Sequence, residues 1–223
     1  MWSGGKDSAL ALQRARRAGL DVQTLLTFYD SASGRIRFHA TPIGLIRQQA
    51  AATSVPSLLA VGTSWAEMDE ALRRELERLR TAGCRGVVLG DIHLADVRAW
   101  YEERVTGAGL EHVEPLWGEP PPSLLDDFVG SGGRAVVTCV DLDRLDESWL
   151  GRVIDPGFAR EIAGLDVDAC GENGEYHSFA FAGPAFQHPV GWAPGERRRE
   201  GRFLQLDLRG SSPEQLPGSG DRA

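Results

Sequence analysis

Residues 3–8 read Ser3-Gly4-Gly5-Lys6-Asp7-Ser8, inside the opening run MWSGGKDSAL of residues 1–10. Directly behind them, Ala9–Ala18 (ALALQRARRA) sets apolar residues at helical spacing, with Asp7 and Ser8 suited to the first turn and Gly19 to the end. A glycine-rich turn that opens a helix is a ready anion site, because the first helical amides lack intrahelical acceptors and the axis ends in partial positive charge. Lys6 strengthens that reading. It is the only lysine in the chain, and an ammonium on a flexible stem suits a phosphate in a tight loop better than the broad guanidinium fork. The pattern fits neither GxxxxGK[ST] nor GxGxxG, since the glycines are adjacent and aspartate follows lysine.

Working outward, Val22–Tyr29 (VQTLLTFY) is a near-continuous apolar and β-branched run, which predicts a parallel strand buried on both faces. Asp30–Gly34 reads as a turn, Ile43–Ala52 as a helix and Leu58–Val61 as a short strand. Glu67–Ala82 reads as a charged amphipathic helix closed by Gly83. Gly86–Leu89 is a second buried strand running into Gly90-Asp91-Ile92, and Asp96–Gly107 a further helix. This alternation predicts an α/β, Rossmann-like parallel sheet that binds ligands at the carboxyl ends of its strands. The 3–8 turn and Gly90-Asp91 lie at such ends, so Asp91 is expected as a magnesium or substrate contact, or as a helix cap. Pro120-Pro121-Pro122 predicts a stiff segment that continues neither helix nor strand. A boundary there divides the chain into a nucleotide-binding domain at 1–119, a smaller C-terminal α+β domain at 120–210 and a disordered Gly, Pro and Ser-rich tail at 211–223. Within the second half, Arg134–Asp141 and Tyr176–Phe181 read as strands, Asp155-Pro156-Gly157 as a turn, Phe158–Ala163 as a short helix and Arg197-Arg198-Arg199 as a solvated turn.

A net charge of −8 over 223 residues excludes general affinity for nucleic acid or anionic membrane, so an anionic ligand needs a dedicated site. Cys84, Cys139 and Cys170 are widely spaced and form no CxxC, which excludes a disulfide framework or zinc knuckle and fits a reducing cytoplasm. No apolar stretch approaches membrane-spanning length. Only Met1 and Trp2 precede the phosphate turn, where a full strand is expected. A native start upstream of Met1 is the expectation.

A second motif stands at Asp168–Ser178, DACGENGEYHS. Asn173-Gly174 is the strongest two-residue hairpin signal, and a hairpin there would set Glu172 opposite Glu175. Opposed like charges destabilise a hairpin unless a cation, an amine or a shared proton lies between them. His177 is expected on the same face as Glu175.

The turn SGGKDS resembles the PP-loop of the ATP pyrophosphatases, which split ATP between its α and β phosphates. Together with Gly90-Asp91-Ile92, Pro115-Leu116-Trp117 and Gly171–His177, the chain resembles the diphthine–ammonia ligases within that superfamily. The resemblance implies a PP-loop (HUP-type) nucleotide domain with ATP and Mg2+ as cofactors. Ser3, Gly4, Gly5, Lys6, Asp7 and Ser8 would hold the phosphates, Thr27, Phe28, His39, Gly90 and Asp91 would line the nucleotide site, and Asp7 would place the metal. Lys6, Asp7, Glu172, Glu175 and His177 are the implied catalytic residues, the last three binding or deprotonating ammonium or orienting the substrate. The implied reaction forms an acyl-adenylate on a carboxylate, which in the family sits on a translation elongation factor, and ammonia then displaces AMP. The family's middle helix carries a tyrosine-glutamine-arginine cluster, whereas this chain has Asp96-Val97-Arg98-Ala99-Trp100-Tyr101, so the carboxylate is left open. Arg98 is a candidate contact for an anionic substrate. Thiolation, α-hydrolysis of an adenine nucleotide and a non-catalytic ATP sensor are the competing readings. The oligomeric state is open, a homodimer included.

Overall fold

A computed structural model describes residues 1–212, so the tail from residue 213 onward lies outside the described residues. Helix α1 (Lys6–Arg17) starts at the lysine itself, because extended Gly5 serves as its N-cap. Asp7 in the first turn and Arg14, Arg16 and Arg17 in the last complement the helix dipole. Strand β1 (Thr24–Asp30) follows, and β2 (Arg35–Ile36) folds back antiparallel on its end. After α2 (Ile43–Ala52), β3 (Ser57–Thr63) runs parallel to β1 in register from Thr24↔Ser57 to Asp30↔Thr63. Helix α3 (Met68–Thr81), β4 (Gly86–Val88), α4 (Ala95–Gly107) and β5 (Glu111–Val113) complete this half, with β4 and β5 parallel. Residues 1 and 2 run between the two parallel pairs. The Trp2 amide donates to Leu26 O at 2.7 Å and the Met1 nitrogen to Val88 O at 2.5 Å, which joins the pairs into one layer. This is the expected Rossmann-like arrangement.

The second half comprises α5 (Pro121–Gly130), β6 (Arg134–Asp141), β7 (Val153–Ile154), α6 (Pro156–Ile162), β8 (Tyr176–Ala182), β9 (Trp192–Glu200) and β10 (Phe203–Gly210). Its antiparallel sheet runs β7-β6-β10-β9, with β8 paired along the length of β6. Three local expectations are corrected here. The proline run starts a helix instead of interrupting the chain. Pro120 is the extended N-cap, and Pro121 and Pro122 fill the first turn, where a missing N–H costs nothing. Arg197, Arg198 and Arg199 lie inside β9, paired with Leu206, Gln205 and Leu204. Asn173-Gly174 makes no hairpin: the Gly174 amide turns back to Gly171 O, and the strand that begins at Tyr176 pairs with β6. Asp155 also does more than turn the chain, since its carboxylate caps α6 through the Phe158 amide at 2.8 Å.

One apolar core joins the halves, with Trp2, Leu10, Leu25 and Ile46 packed in the same cluster as Leu125, Phe128, Val136, Phe179 and Trp192. Each such side chain contributes roughly 1.5–3 kcal/mol on burial, so the contact between the layers is part of the folding energy. A smaller cluster under α3 and α4 contains Leu26, Phe28, Leu72, Leu76, Val87 and Val105. Among the described residues no helix is long and apolar enough to cross a membrane.

Candidate active site

The 3–8 turn is built by local constraints. Gly4 sits at φ +80°, and a Cβ there would lie 2.5 Å from both Gln49 Oε1 and Ile46 Cδ1, so no other residue fits. Ser3 Oγ accepts from the Gly5 amide at 3.3 Å, and Ser8 Oγ donates to Gly5 O at 2.9 Å. The amides of Asp7 and Ser8, in the first turn of α1, have no intrahelical acceptor. Gly90 packs directly on them: a Cβ at that position would stand 3.2 Å from the Asp7 carbonyl and 3.3 Å from Ser8 N.

The C-terminal half forms the other wall. Ala180 N in β8 donates to Gly4 O at 2.8 Å, and the Lys6 amide donates to Ser178 Oγ at 3.2 Å. Gln49, fully buried, donates from Nε2 to both Gly4 O and Ala180 O and accepts from Trp2 Nε1 at 3.1 Å. Lys6 is 3 % exposed. Its ammonium donates to Cys170 O and to Asp7 Oδ2 at 2.9 Å, and lies 5.0 Å from the centre of the Tyr176 ring. Burial opposes that charge, but Asp7, Tyr176 and Cys170 raise the Lys6 pKa well above the ordinary lysine value, so it remains an ammonium. The Cys170 thiol is pushed up to about 12 by burial and donates to Pro121 O at 3.2 Å, so it is held as a buried, protonated thiol.

The carboxylates converge from three segments. Glu172 Oε1 accepts from the Ile92 amide at 2.9 Å, tying the 168–178 loop to the Gly90-Asp91-Ile92 turn. Burial raises the Glu172 pKa to about 7. Asp7 and Asp91 push the same way, while the Ile92 amide and Lys6 oppose. Burial, then Glu114, lifts Asp91 to about 6, and Asp91 Oδ2 is buried without a hydrogen-bond partner among the described residues. Asp91 is not a helix cap, because α4 is preceded by Leu94 in that position. Arg98 turns inward to Glu114, with Nε 3.1 Å from Oε2 and the guanidinium 4.5 Å over the Trp117 ring. Glu175 does not oppose Glu172. It is 1 % exposed, and its Oε1 accepts from Asp168 N at 3.0 Å and Asn173 Nδ2 at 3.3 Å.

Two imidazoles flank the turn. His39 Nδ1 lies 2.9 Å from Ser178 O, and a Cβ on Gly5 would stand 2.7 Å from its Cε1. His177 lies 4.9 Å from His39 and 5.9 Å from Phe38, centroid to centroid. Burial, with His39 and Lys6, holds His177 well below the usual histidine range, so it is neutral at pH 7. Thr27 is buried with Oγ1 unpartnered among the described residues, while Phe28 belongs to the core beneath α3 and α4.

Residues 1–112 match the diphthamide synthase N-terminal domain, and residues 120–203 match the diphthamide synthase C-terminal domain. The chain belongs to the diphthamide synthase family. Membership suggests an ATP-using enzyme of diphthine–ammonia ligase type. No individually curated protein matches the chain. Within this diphthamide synthase frame, sequence reasoning overlooked Gln49, Ser178, Glu114 and Phe38. Ser178 stood inside the second motif with no assigned role. Gln49 is a polar residue on the buried face of α2, the one available hint that a polar network lay there.

Proposed function

We propose that the protein is an ATP-dependent, AMP-forming ligase that adenylates a carboxylate and amidates it with ammonia. The observation that carries the reading is the meeting of three distant segments, 3–8, 90–92 and 170–178, around the Lys6 ammonium and the Glu172 carboxyl. In the first step an acceptor carboxylate oxygen attacks the α phosphorus, and the bond to the β-phosphate oxygen breaks. Lys6 and the opening amides of α1 face the charge that accumulates on departing pyrophosphate. Asp7 and Asp91 would hold magnesium, which when bound neutralises phosphate oxygens. The unpartnered Asp91 Oδ2 fits that use. Among the described residues no three His, Cys, Asp or Glu side chains form a metal cage, and magnesium takes one or two carboxylates when phosphates and waters complete its shell.

In the second step ammonia nitrogen attacks the acyl carbon, AMP leaves with the bonding pair, and nitrogen loses a proton. Glu172, with a pKa of about 7, is matched to take that proton at neutral pH. His177, neutral and beside the turn, is available to orient the acceptor. Buried Glu175 holds the loop through Asp168 N, so its part is positioning.

The test is incubation with α-labelled ATP, magnesium, ammonium and candidate carboxylates. AMP with pyrophosphate and an amide product is expected. ADP as the product, or tight ATP retention without turnover, would replace the ligase reading with a kinase-type hydrolase or a nucleotide sensor.

A further inference from the structure

His93 follows the Gly90-Asp91-Ile92 turn, and its Nε2 lies 2.8 Å from Asp168 Oδ2 at the head of the second motif. A carboxylate oxygen accepts in this contact, so Nε2 carries the donated proton, and the bond forms whether or not Nδ1 is protonated as well. The Asp168 side chain is 7 % exposed and the His93 side chain 36 %. A partly exposed pair of this kind adds little to global stability. Its value therefore lies in what Asp168 holds.

Asp168 organises the loop behind it. Its Oδ1 accepts from the Cys170 amide at 2.7 Å and from the Glu172 amide at 3.3 Å, and the Asp168 amide donates to Glu175 Oε1 at 3.0 Å. An aspartate that bonds the backbone just ahead of it in this way fixes the turn that follows. Two of the residues so fixed enter the site: Cys170 presents the carbonyl that receives the Lys6 ammonium, and Glu172 the carboxyl that accepts from the Ile92 amide at 2.9 Å. Ile92 and His93 are neighbours in sequence. Their two contacts therefore close a ring that runs from Ile92 to Glu172, back along the loop to Asp168 and across to His93. The 90–94 side of the ring is anchored in turn, because the Gly118 amide donates to Ile92 O at 2.8 Å. A glutamate side chain has several rotatable bonds, so one hydrogen bond at its tip leaves the carboxyl free to swing unless the backbone beneath it is also held.

We propose that His93 is a positioning residue for Glu172, acting through Asp168 to set the 168–172 backbone and so the place from which the Glu172 carboxyl reaches the site. Among the described residues the Ile92 and His93 contacts are the hydrogen bonds that join 90–94 to 166–176. Removing the imidazole leaves the tip of Glu172 as the single tie. The consequence for rate rests on the ligase reading: misplacing a catalytic group by about 1 Å costs up to about a hundredfold, so loss of His93 would slow the second step. The positioning itself does not depend on that reading.

The experiment reads Glu172 directly and without substrate. Protein isotope-labelled at the glutamate side-chain carboxyl is titrated by NMR, the Glu172 resonance being the one absent from E172Q. In the wild type its midpoint is expected at about 7, and in H93A it should move down toward 4.5 as the carboxyl gains solvent. H93Q, whose side-chain amide donates from the place of the imidazole Nε2, should return it to the wild-type value. Hydrogen exchange should follow the same order. The Ile92, Cys170 and Glu172 amides are expected to exchange at least about tenfold faster in H93A than in wild type or H93Q, with the amides of β6 unchanged. An H93A protein with the wild-type midpoint, or with wild-type exchange at those three amides, would overturn the proposal. So would H93Q behaving as H93A does, or loss of protection spread through β6, which would make His93 a contact of general stability. Because neither ATP nor ammonium is present, a protein that forms no AMP and no amide would refute the ligase reading and leave this result standing.

Discussion

Glu172→Gln separates stability from activity in a way that tests the electrostatics of the site. Burial raises the Glu172 carboxyl from its ordinary 4.5 to about 7, with the neighbouring Asp7 and Asp91 carboxyls adding to the effect. A carboxyl whose pKa is higher in the folded state than in the unfolded chain contributes its stability below pH 4.5. That contribution is lost as pH rises through about 7, where the fold is obliged to hold a charge it disfavours. The full elevation corresponds to roughly 3 kcal/mol. Remaining solvent contact and the weaker bond an amide oxygen accepts from the Ile92 N–H reduce the expected gain to about 1–2 kcal/mol. Glutamine keeps the shape and the Ile92 contact. Urea denaturation of wild type and E172Q across pH 4.5–8.5 should give curves that nearly coincide at pH 4.5, diverge steadily up to about pH 7 and run parallel beyond it, with E172Q the more stable protein at pH 8. If Glu172 is the proposed general base, amide synthesis by the same variant should fall by at least about a hundredfold, since the group that takes the proton from the attacking nitrogen is gone. Stability curves parallel over the whole range, or an E172Q protein less stable at pH 8, would refute the claim that Glu172 is a desolvated acid.

Three further substitutions probe the rest of the site. Gly90→Ala places a methyl 3.2 Å from the Asp7 carbonyl, so the start of α1 has to shift. A fall in kcat of at least about tenfold, with only a small change in Tm, is expected in a pyrophosphate-release assay. Gln49→Leu removes the donor shared by Gly4 O and Ala180 O together with the acceptor of Trp2 Nε1. It should cost about 2–4 kcal/mol by chemical denaturation, because three buried groups lose partners at once. Glu175→Gln, which keeps an acceptor for Asp168 N, should leave ATP affinity unchanged by calorimetry and lower amide formation. An equal loss of nucleotide binding would move Glu175 from the acceptor loop into the nucleotide site.

How much of this was legible in the sequence depended on whether the deciding interaction is local. The run SGGKDS and the apolar stretches of β1 and β4 carry their own periodicity, and the α/β layer follows from them. β9 did not announce itself, because an edge strand with residues 196–200 almost wholly exposed shows no alternation. Its partner β10, FLQLDL, does alternate between half-buried and buried positions. The Asn-Gly signal at 173–174 is overridden by tertiary packing. Gly171 at φ +70° lies so close to Tyr176 that a Cβ would stand 2.7 Å from its carbonyl oxygen, which folds the loop inward and separates the two glutamates. The site motifs were visible as strings, but no string says that Ser178 would take the Lys6 amide or that Glu172 would take Ile92.

That missing information is also what ties the 3–8 turn to the second half of the chain. One edge of β8 pairs with β6, and the other is covered by the 3–8 turn, through Ala180 N to Gly4 O and the Lys6 amide to Ser178 Oγ. An uncovered strand edge exposes a row of unpaired donors and acceptors. Gly4 O, buried against Gln49, would likewise lack one of its two donors without β8. Each element thus completes the other's backbone hydrogen bonding. The Lys6 ammonium belongs to the same arrangement, because Cys170 O, contributed from the C-terminal half, holds it in a dry pocket. On the proposed reaction, a charge fixed there would need no reorganisation as charge develops on the departing pyrophosphate, which is the condition under which a single lysine stabilises a transition state most strongly.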